Sequence, residues 1–525
     1  MRKALRANPN KTPPTRTVQE ASPVKGWMSQ KNFADADPQS ALILRNMFPE
    51  ADAVRVRRGC VRHASGLGGI VETLMPYTSA SASKLFAAAA GNIFDITSGG
   101  VAGAPVVTGA AGAYWESVMF ATPAGQFLVI CNGANGVRTY NSTAGWQDQT
   151  AAITGTSGAV DNFVYVTSHK KRLWFVPLAS TDLWYLPTES ISGVAVKFPV
   201  GAQLKLGGSI TAVETWSVDA GDGMDDLLVV VSSEGELIVY SGTDPSTANT
   251  WSMIGVYVGG QPIGRRSLFR VGGDLLVVNE DGVLPISTAI KVDRAVAGQK
   301  SITSNIRQDY VDAVRRARYL QGWQIVVHPL KNLALLNVPG SGSIPTQQFA
   351  FNTTTGAWGQ YIGWNASSWS SFEDGIYFGT ENEVFRAEYG GNDNDVPILV
   401  EALPAFSHLS LRGRLKHVKM LRPYISTDVP GANAQFAVAI DYKVPTATGG
   451  AASVGTNFFQ WDVTAWDGPA VWYDATVSTA WKGPANLGTV ISPYLRIDLD
   501  AEEAGAEFEF RWIATDIIYE PGGIV

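Results

Sequence analysis

The side chains with which this chain could do chemistry are few and scattered. Acidic residues crowd into two turn-like runs, Asp219 to Asp226 and Asn392 to Asp395. Oxygen-rich runs can hold Ca²⁺, but neither has EF-hand spacing, so both are expected to be solvated turns. The five histidines are His63, His169, His328, His408 and His417. No two of them sit at metal-ligand spacing on an expected helix, and His408 and His417 are nine apart across an expected turn. There is no Gly-x-Ser-x-Gly elbow, no P-loop and no His-Glu-x-x-His. A glycosidase needs two carboxylates fixed on one site, and none are paired locally; a pair assembled from distant loops stays open. The expectation is therefore no enzyme, with no catalytic, cofactor-binding or metal-binding residues. Cys60 and Cys131 are the only cysteines, too few for a disulfide framework, and are expected as reduced thiols, their pairing left open.

The elements that would position such groups follow from composition. At 525 residues the chain exceeds one ordinary core, so two or three domains are expected. With 45% hydrophobic and 17% charged residues it is globular, and 54 glycines with 10% aromatics favour short strands joined by tight turns. No run of about 18 apolar residues occurs, so no membrane insertion is expected. Met1 to Arg6 has no apolar stretch behind it and is not expected to be a secretory signal. Residues 1–68 carry 12 Lys and Arg against 5 Asp and Glu, leaving 28 basic and 42 acidic residues, or −14, over 69–525. A basic arm on an acidic body is unlike a DNA-binding domain, whose footprint is a basic face.

Residues 1–22 read as an extended arm, with Arg2, Lys3, Arg6, Lys11 and Arg16 and almost no large apolar side chains. Residues 23–69 read as a docking segment with the first strands, in which Val54-Arg55-Val56-Arg57 alternates as if one face were solvated. From about 70 to 397 one unit recurs: an apolar strand, a turn with Gly, Asn or Asp, and a second strand rich in aromatic and β-branched residues. Examples are Gly91-Asn92-Ile93, Asn135-Gly136-Val137, Asp182-Leu183, Gly235-Glu236-Leu237, Asp281-Gly282-Val283 and Asn382-Glu383-Val384. From Ile93 to Val137, Leu183, Leu237 and Val283 the steps are 44, 46, 54 and 46 residues. That is the period of a four-stranded propeller blade. A second echo links Tyr140-Asn141-Ser142-Thr143-Ala144-Gly145-Trp146 with Phe351-Asn352-Thr353-Thr354-Thr355-Gly356-Ala357-Trp358.

The spacing thus predicts an all-β protein with a β-propeller of about six or seven blades over 70–397. A β-sandwich with irregular hairpins is the competing architecture. One amphipathic helix is expected near 301–320, with Ile302, Ile306, Tyr310, Val314 and Ala317 inward and Arg307, Arg315, Arg316 and Arg318 outward, facing solvent or nucleic acid. After Gly390-Gly391 the composition resets. Alternation through Phe436, Val438, Ile440 and Tyr442, and through Phe508, Phe510 and Trp512, predicts a C-terminal β-sandwich over 398–525, with one strand near 457–464.

Two stretches resemble phage tail nozzle, tail hub and packaged-DNA stabilisation proteins of the tail tubular protein B kind. The first is Asn46-Met47-Phe48-Pro49-Glu50, followed by the basic strand Val54 to Gly59. The second comprises Tyr240-Ser241-Gly242-Thr243-Asp244-Pro245, Asn249-Thr250-Trp251, Gly255-Val256-Tyr257, Pro262-Ile263-Gly264-Arg265-Arg266, Gly272-Gly273-Asp274 and Asp281-Gly282. The resemblance implies a virion structural subunit in a ring, commonly a homohexamer, below the portal and adaptor. Its partners would be tail adaptor proteins, tail fibres and double-stranded DNA passing through the lumen without sequence-specific binding. It implies synthesis in the bacterial host cytoplasm and no catalytic residues. Two other readings remain open: a carbohydrate-binding receptor propeller, suggested by 16 Trp and 17 Tyr, and a propeller glycosidase.

Overall fold

A computed structural model describes residues 15–29, 36–219, 224–429, 433–444, 451–453, 476–478, 483, 486–501 and 508–524. Arg2, Lys3, Arg6 and Lys11, part of the Asp219 to Asp226 run, and the strand expected near 457–464 lie outside them. With 53% strand and 6% helix, the protein is all-β. The chain divides into two compact units: residues 60–349 with 363–388, and residues 1–59 with 350–362 and 389–525.

The first unit is a succession of small antiparallel sheets, each built outward from a lead strand. The lead strands are Val71–Thr78, Glu116–Thr122, Phe163–His169, Ile210–Asp219, Leu268–Val271, Gln324–Val327 and Ser368–Phe372. The first five run side by side in order, the sixth lies beside the seventh, and the seventh lies beside the first. This is the radial order of propeller blades. Ile93, Val137, Leu183, Leu237 and Val283 each fall in the third strand of their own sheet, which is why their spacing is so regular. The seventh sheet, Ser368–Phe372, Gly375–Gly379 and Glu383–Ala387, is completed by Cys60–Ser65, with Ala387 opposite Cys60.

Local chemistry explains the hairpins. At Ala90-Gly91 both residues have positive φ, 49° and 72°, as a two-residue type I′ turn requires. A Cβ on Gly91 would lie 2.5 Å from the Ala110 carbonyl oxygen. Lys170-Lys171 makes the same kind of turn without glycine, at φ 45° and 58°, held by the ladder pair His169 and Arg172. Apolar residues from adjacent sheets then interdigitate: Trp174, Val176, Leu183 and Tyr185 of the third pack with Val229, Val231, Leu237 and Val239 of the fourth. The helical segment is shorter than its periodicity suggests. The α-helix covers Arg307–Ala317, preceded by a 3₁₀ turn, Ser304–Ile306. Ser301 and Thr303 instead spend their hydroxyls on local bonds, Thr303 Oγ1 accepting from the Val283 amide at 3.1 Å.

The second unit holds two antiparallel-rich sheets. One joins Arg414–Thr427 to Phe510–Ile524, and the other joins Ile398–Pro404, Ile491–Leu499 and Asn433–Ile440. Val418, Leu421, Ile517 and Tyr519 of the first pack on Val438 and Ile491 of the second. The sandwich is not made from 398–525 alone. Arg16–Ala21, the end of the expected arm, pairs along its length with Phe510–Ile524, and Val18 joins the apolar cluster. Ser40–Arg45 pairs with Ile398–Pro404, and Met47–Pro49 with Val54–Val56. These short segments bury their apolar side chains only on partners far along the chain, so their local composition reads as arm or linker.

The contact between the seventh and first lead strands yields a test. Ser367 and Ser368 hydroxyls both donate to the Val71 carbonyl, at 2.7 and 2.6 Å. A Cβ on Gly379 would lie 2.6 Å from the Val71 side chain and 2.7 Å from Ser368 Oγ. Gly379→Ala is expected to cost about 1–3 kcal/mol by overpacking. Gly103→Ala, where a Cβ meets nothing within 4 Å, is the control. Urea denaturation of both variants checks this, and equal midpoints would contradict a tight seam.

Candidate functional site

The second resembling stretch carries the chain to a densely connected polar group. After the strand Trp251–Val258, Ile263 donates its amide to the Val278 carbonyl at 3.0 Å, fixing the turn that leads into Arg265 and Arg266. Arg266 is directed to the lead strands of other blades. Its Nε donates to Glu116 Oε1 at 3.1 Å. Its Nη2 donates to Thr73 Oγ1 at 2.9 Å and to the Trp115 carbonyl at 2.7 Å. Its Nη1 reaches the Glu72 carbonyl at 3.4 Å and Gln324 Oε1 at 3.2 Å. All five guanidinium protons are thereby used, and the ring of Tyr114 lies 4.4 Å from the guanidinium carbon. Burial pushes the Glu116 carboxyl up from its ordinary range, against the pull of Arg266 and Arg265. A neighbouring group repeats the theme, with Glu214 accepting from Arg270 and, at 2.7 Å, from the Thr167 hydroxyl. A cavity of about 180 Å³ opens on this hub, lined among others by Thr73, Glu116, Ser117, Tyr165, Arg266 and Gln324.

The first resembling stretch, in the other unit, is built the same way. Asn46 sits at φ 53°, and its Oδ1 accepts from Arg57 Nε at 2.9 Å and from the Ile362 amide at 2.8 Å. Its Nδ2 donates to the Leu399 carbonyl at 2.8 Å. Arg57, with no exposed surface, donates through its two Nη atoms to both oxygens of Asp393, at 2.8 and 2.5 Å, and to the Arg58 and Ile362 carbonyls. The solvated face expected for Val54 to Arg57 is therefore absent: Arg55 is buried too, paired with Glu50 at 3.1 Å. Gly59 fits because a Cβ would fall 1.7 Å from the Asn392 carbonyl oxygen. The Asn392 to Asp395 run is accordingly not a free solvated turn, since Asp393 serves Arg57 and Asn392 Nδ2 donates to Asp500 at 3.2 Å. The echoed turns also share a device. Asn141 Oδ1 accepts from the Thr143 and Ala144 amides, and Asn352 Oδ1 from the Thr354 and Thr355 amides.

The remaining sequence candidates are dispersed. Among the described residues, no group of three His, Cys, Asp or Glu is arranged to hold a metal ion. Asp226 binds Ser217 Oγ at 2.7 Å and Lys170 at 3.5 Å. Cys60 and Cys131 are buried and form no disulfide. His63 faces the Ile96 carbonyl at 2.7 Å. On the Arg307–Ala317 helix, Arg315 pairs with Asp312 at 3.3 Å and Arg316 Nε donates to the Asp312 carbonyl. Arg318 is tied to Gln261 at 2.9 Å, and Arg307 is exposed. Arg266 is quoted in the resembling stretch, but its partners Glu72, Thr73, Trp115, Glu116 and Gln324 lie up to 194 residues away, and no local signal reveals them.

No protein-family model matches the chain, and no curated protein matches it. Similar solved structures include BBS1N in complex with ARL6DN, at 14% identity and TM-score 0.28, covering 41% of this chain. PorZ, an essential bacterial surface component of the type-IX secretion system of Porphyromonas gingivalis, has 13% identity, TM-score 0.37 and 68% coverage of this chain. Chaetomium thermophilum Raptor has 11% identity, TM-score 0.37 and 62% coverage. This chain spans 64%, 44% and 29% of those three chains respectively. Likeness of this extent says nothing about function.

Two tests follow. Arg266→Met removes five hydrogen bonds and leaves Glu116 buried without its cation, and is expected to cost about 3–5 kcal/mol. Adding Glu116→Leu to Arg266→Met should restore part of that loss in urea denaturation, because the stranded carboxylate is gone. The second concerns pH. Burial, reinforced by Lys170, lowers His169 to about 4, and burial with Lys331 lowers His328 to about 4. The unfolded histidines, near 6.5, bind protons first as pH falls. Their contribution is thus fully present above about pH 6.5 and is lost on descent towards pH 4, on the order of 1.4 kcal/mol per pH unit for each. His169→Gln should flatten this dependence between about pH 6.5 and pH 4.5, measured by denaturant midpoints.

Proposed function

We propose that this chain is a structural subunit of a phage tail nozzle or hub ring that forms a DNA conduit below the portal and adaptor and helps retain and then release packaged DNA. The observation that carries the reading is the fate of the two resembling stretches. Asn46 and Arg57 in one unit, and Arg266 in the other, are committed to holding scaffold segments together, with their donors consumed by the chain itself. A protein whose distinctive residues are structural is suited to assembly rather than turnover. The ring, the adaptor and tail-fibre contacts, and residence in the virion tail belong to this proposal. The carbohydrate-receptor reading rests on aromatic platforms. Among the described residues Tyr319 and Tyr442 are the exposed aromatics, while tryptophans such as Trp115, Trp174, Trp323, Trp364 and Trp369 are fully buried.

On the conduit reading, DNA slides past acidic or neutral walls, because each Lys or Arg contact to phosphate would add salt-dependent grip. The arginine helix supports this: Asp312 and Gln261 engage three of its four arginines. Negative-stain imaging of the purified protein should show rings, and antibody labelling should place it on virion tails. Labelled duplex titrated at physiological salt should bind no tighter than about 10⁻⁴–10⁻⁶ M. Tight binding that is lost when Arg307, Arg315, Arg316 and Arg318 are all replaced by Gln would overturn the sliding-conduit account.

A further inference from the structure

We infer that the cavity at the propeller hub is a binding site for a small, neutral, polyhydroxylated molecule. Arg266 spends all five donors on protein acceptors, and Thr73 and Gln324 are likewise engaged. Three lining groups are different. The Tyr165 hydroxyl has no hydrogen-bond partner among the described residues, although Tyr165 is only 6% exposed. Arg266 takes one oxygen of Glu116, and the other receives no donor from the described chain. The Ser117 hydroxyl is also unpaired. These three polar atoms keep contact with the open space of the cavity, so whatever fills it completes their hydrogen bonds. Here one donor-acceptor, one acceptor and a second hydroxyl converge on the same small space.

The charge and the walls narrow the ligand. The cations Arg265, Arg266 and Arg270 stand among the carboxylates Glu72, Glu116 and Glu214, so neither sign is in excess. An anion entering the cavity would meet Glu116, and a cation would meet Arg266. Either would disturb an ion pair already desolvated, so a neutral guest is favoured. Leu74, Leu268, Phe269 and Ile325 supply an apolar wall against which carbon-bound hydrogens can pack. The volume of about 180 Å³ equals the share of roughly six liquid waters, or of one monosaccharide-sized or smaller polyol. Such a molecule offers several hydroxyls, each able to donate and accept, on a framework with apolar faces. It differs from recognition on exposed aromatic platforms, since the ligand would sit in a half-open cavity lined by residues of the lead strands. The inference stands independently of the tail-nozzle proposal.

The test is direct titration of the full-length protein with glycerol, D-glucose and N-acetylglucosamine as neutral probes. Glucosamine and glucuronate serve as their cationic and anionic counterparts. Isothermal calorimetry and ligand-observed NMR read the affinity. At least one neutral probe is expected to bind, and its charged counterparts to bind about tenfold more weakly or not at all. Tyr165→Phe removes only the hydroxyl and is expected to weaken the neutral probe about tenfold. Ser117→Ala serves as the second variant should Tyr165→Phe fail to fold, with a similar loss expected. Failure of every neutral probe, equal binding of charged and neutral probes, or wild-type affinity in the folded variants would each overturn the assignment and leave a water-filled hub.

Discussion

A guanidinium shut away from water has to find an acceptor for every proton it carries, and in this protein that requirement decides where distant segments lie. Arg57 is in this position, and Arg266, with 10% of its side chain exposed, nearly so. Each places five donors on five acceptors, two of them carbonyl oxygens, and each draws in a carboxylate to neutralise its charge. Because arginine cannot shed its proton, the alternative to a complete set of partners is a buried bare charge. The segments that supply the acceptors are thereby fixed to within hydrogen-bond tolerance. Replacing such a residue by lysine would keep the charge and lose the planar fork that makes the set complete.

The same logic recurs at smaller scale. Lys416 has no exposed surface and donates to the carbonyls of Leu411, Arg414 and Thr489, at 2.8, 3.2 and 2.6 Å. Three donors meet three backbone acceptors, so an edge that apolar packing would leave with orphaned carbonyls is closed by one side chain. Burial lowers its pKa accordingly. Apolar packing supplies most of the driving force for these sheets, but it is non-directional. The polar sets are what select one register among many that would bury similar area.

How much of this was legible in the sequence depends on the range of each interaction. The hairpins at Ala90-Gly91, Gly235 and Gly282 announce themselves because the turn residues and the alternating strands are neighbours in the chain. The first hairpin of the sixth sheet was unread: its turn runs through His328, whose Nδ1 accepts the Leu330 amide at 3.2 Å, and it contains no glycine. The Arg55 and Arg57 alternation was misread because a strand with charged residues every second position normally has a wet face. Glu50 and Asp393 neutralise the two buried charges, and Asp393 lies 336 residues away. The strands through Phe436 to Ile440 and through Phe510 and Trp512 followed from period-two patterns, whereas the partnership of Arg16–Ala21 with Phe510–Ile524 needed the register itself. At the hub, sequence drew attention to Arg265 and Arg266 as part of the second resembling stretch, yet gave no hint of Glu116 or Tyr165.

The strand Cys60–Ser65 has a consequence in time as well as in space. It is made early, but its antiparallel neighbour Glu383–Ala387 is more than three hundred residues downstream. During synthesis at roughly 5–20 residues per second, this strand waits on the order of tens of seconds for its partner. Throughout that interval Ala64 can pair with Gly100 but lacks Phe372, Tyr377 and Val384, which complete its apolar core. The earlier sheets can each form as local hairpins on emergence, since their pairings span only a few tens of residues. Completion is therefore a late, single event of high contact order on an otherwise sequential pathway. A chain interrupted before residue 383 would hold well-formed sheets and still present an open, pairing-competent edge.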